Sequence, residues 1–185
     1  ESPSAAGTWS GSMGLSLVAT SGNSDGRTLG LAFEMSREPT PWGMAVRAVA
    51  HRVEQDGETT AERYAGRVRG ERALGPRWRL FAGLSGERDE FAGFDLRTVV
   101  EAGGELLALD GAMHLLIVEG GLTWTREDLR AGGEDDYLGG LVGVRYAWSL
   151  SDTSSFEERL AWYPSFETSD DWRLTSVTSL TADLN

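Results

Sequence analysis

The chain has 185 residues, no cysteine and a net charge of −12. Without cysteine there is no disulfide framework and no thiolate metal site, and the acidic balance repels phosphates, which excludes nucleic acid as a partner. No uncharged apolar run approaches the roughly 20 residues of a membrane helix, but a barrel stays open, because each strand puts only alternate residues into lipid and keeps average hydropathy low. Residues 1–8, beginning Glu1-Ser2-Pro3-Ser4-Ala5-Ala6-Gly7, read as a flexible mature N-terminus with its export signal removed. Residues 9–185 read as one β-barrel domain.

From Trp9 onward the chain alternates apolar and polar residues in segments of about ten to fourteen, the period of a two-faced strand. Trp9, Met13, Leu15, Leu17 and Ala19 oppose Ser10, Ser12 and Ser16 in the first segment. Leu29, Leu31, Phe33 and Met35 oppose Thr28, Glu34 and Ser36 in the second. The third, from Trp42, shifts the apolar residues to even numbers: Met44, Val46, Ala48 and Ala50 against Arg47 and His51. The same parity continues through seven more segments, carrying Val68, Leu80, Val100, Leu122, Val142, Leu160 and Leu174 on the apolar side. Ten strands are predicted, with no helix between them. Glycines within them, such as Gly66, Gly103, Gly120 and Gly143, weaken local strand propensity but let bulky side chains fit beside them.

Connections alternate in kind. Pro39-Thr40-Pro41, Gly75-Pro76-Arg77, Asp110-Gly111 and Ser151-Asp152-Thr153 are short turns. Between them, Ser21 to Gly26, Gln55 to Thr60, Asp89 to Asp95, Glu127 to Asp136 and Glu167 to Asp171 are expected to be longer, acid-rich loops. That asymmetry belongs to outer-membrane barrels, and an even strand count puts both chain ends on the short-turn side. Tryptophans mark the strand ends: Trp9, Trp42, Trp78, Trp148 and Trp162 toward the short-turn rim, and Trp124 and Trp172 toward the loop rim. They are the expected interfacial aromatics of a membrane girdle. Segment length separates this from a soluble barrel, since about 9–11 residues cross a bilayer whereas globular strands average about 5–6. The fold class is therefore an all-β, antiparallel up-and-down transmembrane β-barrel of about ten strands.

The polar face repeats arginine and glutamate at mid-strand. Arg47, Arg67, Arg69, Arg79, Arg97, Arg145 and Arg159 share it with Glu71, Glu87, Glu101, Glu105, Glu119 and Glu157. A barrel of this size is only somewhat wider than its own side chains, and buried charges must pair or stay hydrated. The expectation is a lumen filled by interlocked Arg–Glu pairs. Catalytic and metal sites are not expected. His51, near the loop rim with Glu54 and Asp56, is better read as structural than as half of an acid–base pair. His114, on the apolar parity, suits an interface. Glu134-Asp135-Asp136 with Asp128 are better read as solvated acids than as a cation site.

Several motifs occur in a fixed order. Thr20-Ser21-Gly22-Asn23-Ser24-Asp25 follows the Trp-led first strand, and Thr60-Ala61-Glu62-Arg63 opens the fourth. Trp78 starts the fifth, Glu87-Arg88-Asp89-Glu90-Phe91 ends it, and Asp95-Leu96-Arg97 begins the sixth. Over most of Trp9 to Arg126 they resemble the YdiY-like family of salt-induced outer-membrane proteins. Two departures stand out. Glu101-Ala102-Gly103-Gly104-Glu105-Leu106 is more acidic than the family's Gly-rich stretch and lacks its aromatic. The family also continues for about two strands beyond the tenth, so twelve strands are implied if a C-terminal part lies beyond Asp183-Leu184-Asn185. The resemblance carries no catalytic residue and no cofactor.

The function expected is that of an integral outer-membrane β-barrel of a Gram-negative bacterium, acting as a structural, envelope-stress or assembly-partner protein. Its acidic loops would be extracellular, and its short turns and termini periplasmic. Its partners would be outer-membrane lipid, lipopolysaccharide and a protein of an outer-membrane assembly. A narrow, porin-like pore for small solutes is the first alternative and a soluble ligand-binding barrel the second. An enzyme ranks below all three.

Overall fold

A computed structural model describes residues 8–20, 25–89, 92–168 and 170–182. The expected N-terminal segment up to Gly7, loop residues 21–24, Glu90, Phe91, Ser169 and the last three residues lie outside them. The strands are β1 (Trp9–Thr20), β2 (Gly26–Arg37), β3 (Trp42–Gln55), β4 (Glu58–Ala73), β5 (Trp78–Asp89), β6 (Phe94–Asp110), β7 (His114–Leu129), β8 (Glu134–Ser151), β9 (Ser154–Pro164) and β10 (Trp172–Ala182). They form one antiparallel, up-and-down sheet in sequence order, and the described residues contain no helix. The all-β class and the strand count follow the period-two reading.

The register explains the change of parity at Trp42. Met13, Leu15 and Leu17 pair with Phe33, Leu31 and Leu29, odd with odd. Leu31, Phe33 and Met35 then pair with Ala50, Ala48 and Val46, odd with even. The connection at 38–41 thus keeps one continuous apolar face while the numbering shifts by one, which is how a turn fixes register without moving side chains across the sheet.

Exposure runs opposite to that of a soluble sheet. On β7, Leu122 is 65% exposed while its neighbour Thr123 is 4% exposed. On β4, Val68 is 44% exposed, whereas the Arg69 side chain beside it retains 12%. At these positions the apolar face is the open one and the polar face the covered one, whereas β1 is exposed on both faces.

Two features differ from expectation. First, two of the acid-rich connections are shorter than their composition suggests, while the one before Trp172 runs over residues 165–171. Gln55 to Thr60 is a two-residue hairpin at Asp56-Gly57, and the Glu127 to Asp136 stretch is mostly strand, leaving 130–133 as its turn. Asp56 and Gly57 both have positive φ, 51° and 83°. This is the mirror-image turn that matches strand twist and that Asp-Gly favours. Acid content signalled exposure, and exposed residues at a sheet's rim can still be strand. Second, Trp162 belongs to the loop rim rather than the short-turn rim. It pairs with Leu174 and Val142, two residues from the end of β9.

The sheet comprises two compact units. The first covers Glu1–Glu71, Gly83–Val100 and Thr125–Asp136, and it buries Phe94, Val99 and Thr125. The second covers Arg72–Ala82, Glu101–Trp124 and Tyr137–Asn185, and it buries Phe81, Leu141, Glu101 and Thr123.

Candidate functional site

The polar face is the chemically rich surface. Side chains two apart on a strand share a face, and directly opposed residues on antiparallel strands lie within side-chain reach. Both relations place cations beside acids here.

In the first unit, Glu34 and Arg47 are register partners, and Arg47 Nη2 donates to Glu34 Oε1 at 2.9 Å. Arg63 lies 2.6 Å from Glu87. Arg69 lies 3.0 Å from Glu71, its neighbour on the same face of β4. Arg97 Nε donates to Glu127 at 2.6 Å, and its guanidinium lies 4.1 Å from the centre of the Phe94 ring. That cation–π contact adds to the pairing of a group that is already partly covered.

In the second unit, Arg79 lies 3.4 Å from Glu105. Glu157 receives both Arg145, at 3.1 Å, and Arg159, which shares its strand. Arg67, Glu101 and Glu119 are engaged as well. Every charged residue expected in the network is therefore held by interactions rather than left bare, as the cost of covering an unpaired charge requires.

The sequence left three partners unassigned, namely Glu34, Arg63 and Glu127. The direct opposition of Glu34 and Arg47 becomes visible once the β2–β3 register is fixed. Hydrophobic groups also punctuate the polar face, at Phe81 and Leu141. In the second unit, Phe81 occupies the space above Gly103, where a Cβ would lie 2.7 Å from the ring and 2.3 Å from the Gly120 carbonyl oxygen. Glu119 occupies the corresponding space over Gly143. These glycines are the gaps into which larger side chains fold, an arrangement that also bends strands.

The remaining candidates fall elsewhere. His51 is exposed and pairs with Gly30 across the sheet. Glu54 instead receives Arg52 at 2.7 Å, and Asp56 accepts a hydrogen bond from the Asp25 amide at 2.8 Å. An acid–base pair with His51 is not assembled. Arg126 is paired with Glu134 and lies 3.8 Å from Asp128, so a cation already answers these acids. Among the described residues, no group of three or more potential ligands is placed to hold a metal ion.

On the apolar face, Trp9, Trp42, Trp78, Trp148, Trp162 and Trp172 are exposed and Trp124 is half-buried. Trp9, Trp42 and Trp78 each begin a strand. His114 joins this aromatic set. Its Nδ1 shares a 2.8 Å hydrogen bond with Tyr146 Oη, its ring stacks on Tyr146 with centroids 6.0 Å apart, and it also meets Trp148.

The arrangement pairs charges along the polar face and leaves hydrophobic groups exposed on the other. Neither a curated protein nor a solved structure matches the chain. One family model does, over residues 13–185, and it describes a protein of unknown function, DUF481. That match spans nearly the whole chain, and the chain belongs to the DUF481 family.

Proposed function

We propose that the chain is an integral β-barrel of the Gram-negative outer membrane, with the ion-paired face inside and the apolar face in lipid. On this reading it serves as a scaffold, envelope-stress component or assembly partner, without catalytic activity. The observation that carries the reading is the inverted exposure, seen most sharply at Leu122 and Thr123. In water, a sheet that shows leucine and covers threonine loses the hydrophobic stabilisation that holds folds together. In lipid the same arrangement gains it. Strands of 11 to 18 residues are long enough to cross, and tryptophans near both strand ends suit the two interfaces. The YdiY-like motifs point the same way and favour a role in the envelope's response to salt.

Fractionation tests this directly. The protein should be recovered with the outer membrane, resist a urea wash, and migrate faster on gels before boiling than after. Recovery in the soluble fraction without detergent would refute the reading. Orientation has its own test, because the chain has no native cysteine. A Gly132→Cys variant in the 130–133 turn should react with a membrane-impermeant maleimide in intact cells. A pore reading predicts steady single-channel conductance in planar bilayers. Phe81 and Leu141 on the polar face favour a filled interior and therefore silence.

A further inference from the structure

A groove opens on the apolar face where β1 and β2 approach the short-turn rim. It measures about 350 Å3, and Trp9, Gly11, Met13, Phe33 and Met35 line it. Gly11 makes the gap, because it opposes Met35 in the register and carries no side chain of its own. Met13 beyond the gap is 75% exposed and Trp9 at its rim end is 48% exposed. The walls are therefore hydrophobic and largely uncovered by protein.

Arg37 closes β2 at the same end. By alternation it shares the face of Phe33 and Met35, and its register partners are Trp9 and Met44. From Arg37 as far as Arg27 and Arg52 near the loop rim, β1, β2 and β3 put only uncharged residues on this face. The Arg37 Nε is shielded from solvent and has no hydrogen-bond partner. The acids nearest in sequence are occupied. Glu34 lies on the polar face and holds Arg47, and Glu38 is engaged as well. A guanidinium is always charged, and an orphaned donor on it calls for an acceptor from outside the chain.

We propose that the groove and Arg37 together hold a glycerophospholipid of the leaflet at the short-turn rim. One acyl chain lies over Gly11 between Met13 and Met35, and the phosphate rests on Arg37. The inference rests on the outer-membrane reading above, which sets this rim among headgroups. Charge complementarity selects the occupant. Apolar walls that end in one cation match an acyl chain that ends in one anion, whereas a peptide laid along them would bring backbone groups that the walls cannot satisfy. Trp9 and Trp42, both exposed at this end, suit headgroup depth, and a long arginine stem can lie along such apolar surface while its head meets phosphate. A net anionic headgroup is favoured over a zwitterionic one, whose ammonium offsets part of the attraction.

Native mass spectrometry of the purified protein in a non-ionic detergent, titrated with phosphatidylglycerol, reads the first lipid retained. The parent should retain phosphatidylglycerol more strongly than phosphatidylcholine with the same chains. Arg37→Gln should weaken retention of the first phosphatidylglycerol about fivefold, the effect of one basic residue beside an anionic lipid surface. Arg27→Gln, on the same face at the far end of β2, is the charge-matched control and should leave it unchanged. Glycerol phosphate, which has the anion without the chains, should not displace the lipid at equal concentration. Equal losses in the two variants, no preference between the two lipids, or displacement by glycerol phosphate would overturn the proposal. If outer-membrane recovery and heat-modifiable migration hold while the lipid results fail, only the lipid site is lost. If the protein is recovered as soluble, the membrane reading fails with it.

Discussion

Gly103 leaves space that Phe81 fills, and Gly121 packs against the backbone at Ala102 and Gly103, so the glycines cannot be varied independently. A Cβ at Gly103 would lie 2.7 Å from the Gly121 Cα as well as against the ring, and one at Gly121 would lie 2.6 Å from the Ala102 carbonyl oxygen. Backbone atoms cannot retreat as a flexible side chain can. Gly103→Val should therefore lower the unfolding free energy by about 1–3 kcal/mol, the cost of overpacking, read as an earlier midpoint in urea. Gly66 on β4 is the contrast, since no atom lies within 4 Å of its missing Cβ. There Gly66→Ala should raise stability by about 0.5 kcal/mol through the unfolded chain's lost freedom. Glu157 poses a different residue-level question, because it answers two arginines at once. Both arginine side chains are more than two-fifths exposed, so solvent screening reduces what the pairs contribute. Glu157→Gln should cost about 1 kcal/mol, and the loss should shrink in 1 M salt, where screening acts within about 3 Å. An unchanged midpoint at low salt would mean that the arginines are hydrated well enough without it.

The hairpin joining β3 to β4 shows how an element's end is decided by two residues. Asp56 and Gly57 take left-handed conformations, Asp56 N donates to the Asp25 carbonyl at 2.7 Å, and its carboxylate accepts from the Asp25 amide. Gly57→Val should cost about 1–2 kcal/mol because of its Cβ. Asp56→Asn keeps the acceptor oxygen and tolerates positive φ, so it should stay within about 0.5 kcal/mol of the parent. Thermal or urea midpoints of the two variants check the pair. The same hairpin marks what could be read in advance. The strands and their two faces were legible because alternation repeats at every step of the pleat. The loop lengths were not, because acidic residues at the rims of β4, β7 and β8 look alike in strand and in loop. Asp56-Gly57 was itself the missed signal for a tight turn. Trp162 lies at the loop rim and not at the expected short-turn rim for a related reason, since its rim depends on the direction of β9. The candidate charged face was legible as a composition of arginine and glutamate. Its individual pairs were not, because Arg63–Glu87 and Arg97–Glu127 depend on the register between consecutive strands, which the connections between them set. Phe81 and Leu141 broke the alternation without revealing what they cover.

At the scale of the molecule, the two environments open to this sheet make opposite demands on one residue. Leu122 lies within the apolar run of β7 between Leu116 and Trp124, and it is largely uncovered by protein. If water surrounds it, Leu122→Arg replaces one exposed side chain with another, and stability should move by no more than about 0.5 kcal/mol. If hydrocarbon surrounds it, the same change puts a guanidinium where nothing can hydrate it, and the cost near the bilayer midplane is about 2–4 kcal/mol. Leu74 offers the internal control. It is also exposed, but it follows the last residue of β4 at the short-turn rim, where an arginine can reach headgroups at a cost of about 0–1 kcal/mol. The prediction is a large loss at Leu122 and a small one at Leu74, measured by urea unfolding of protein folded into vesicles. Equal and negligible effects at both positions would remove the membrane from the account, because protein contacts at neither site can produce the difference.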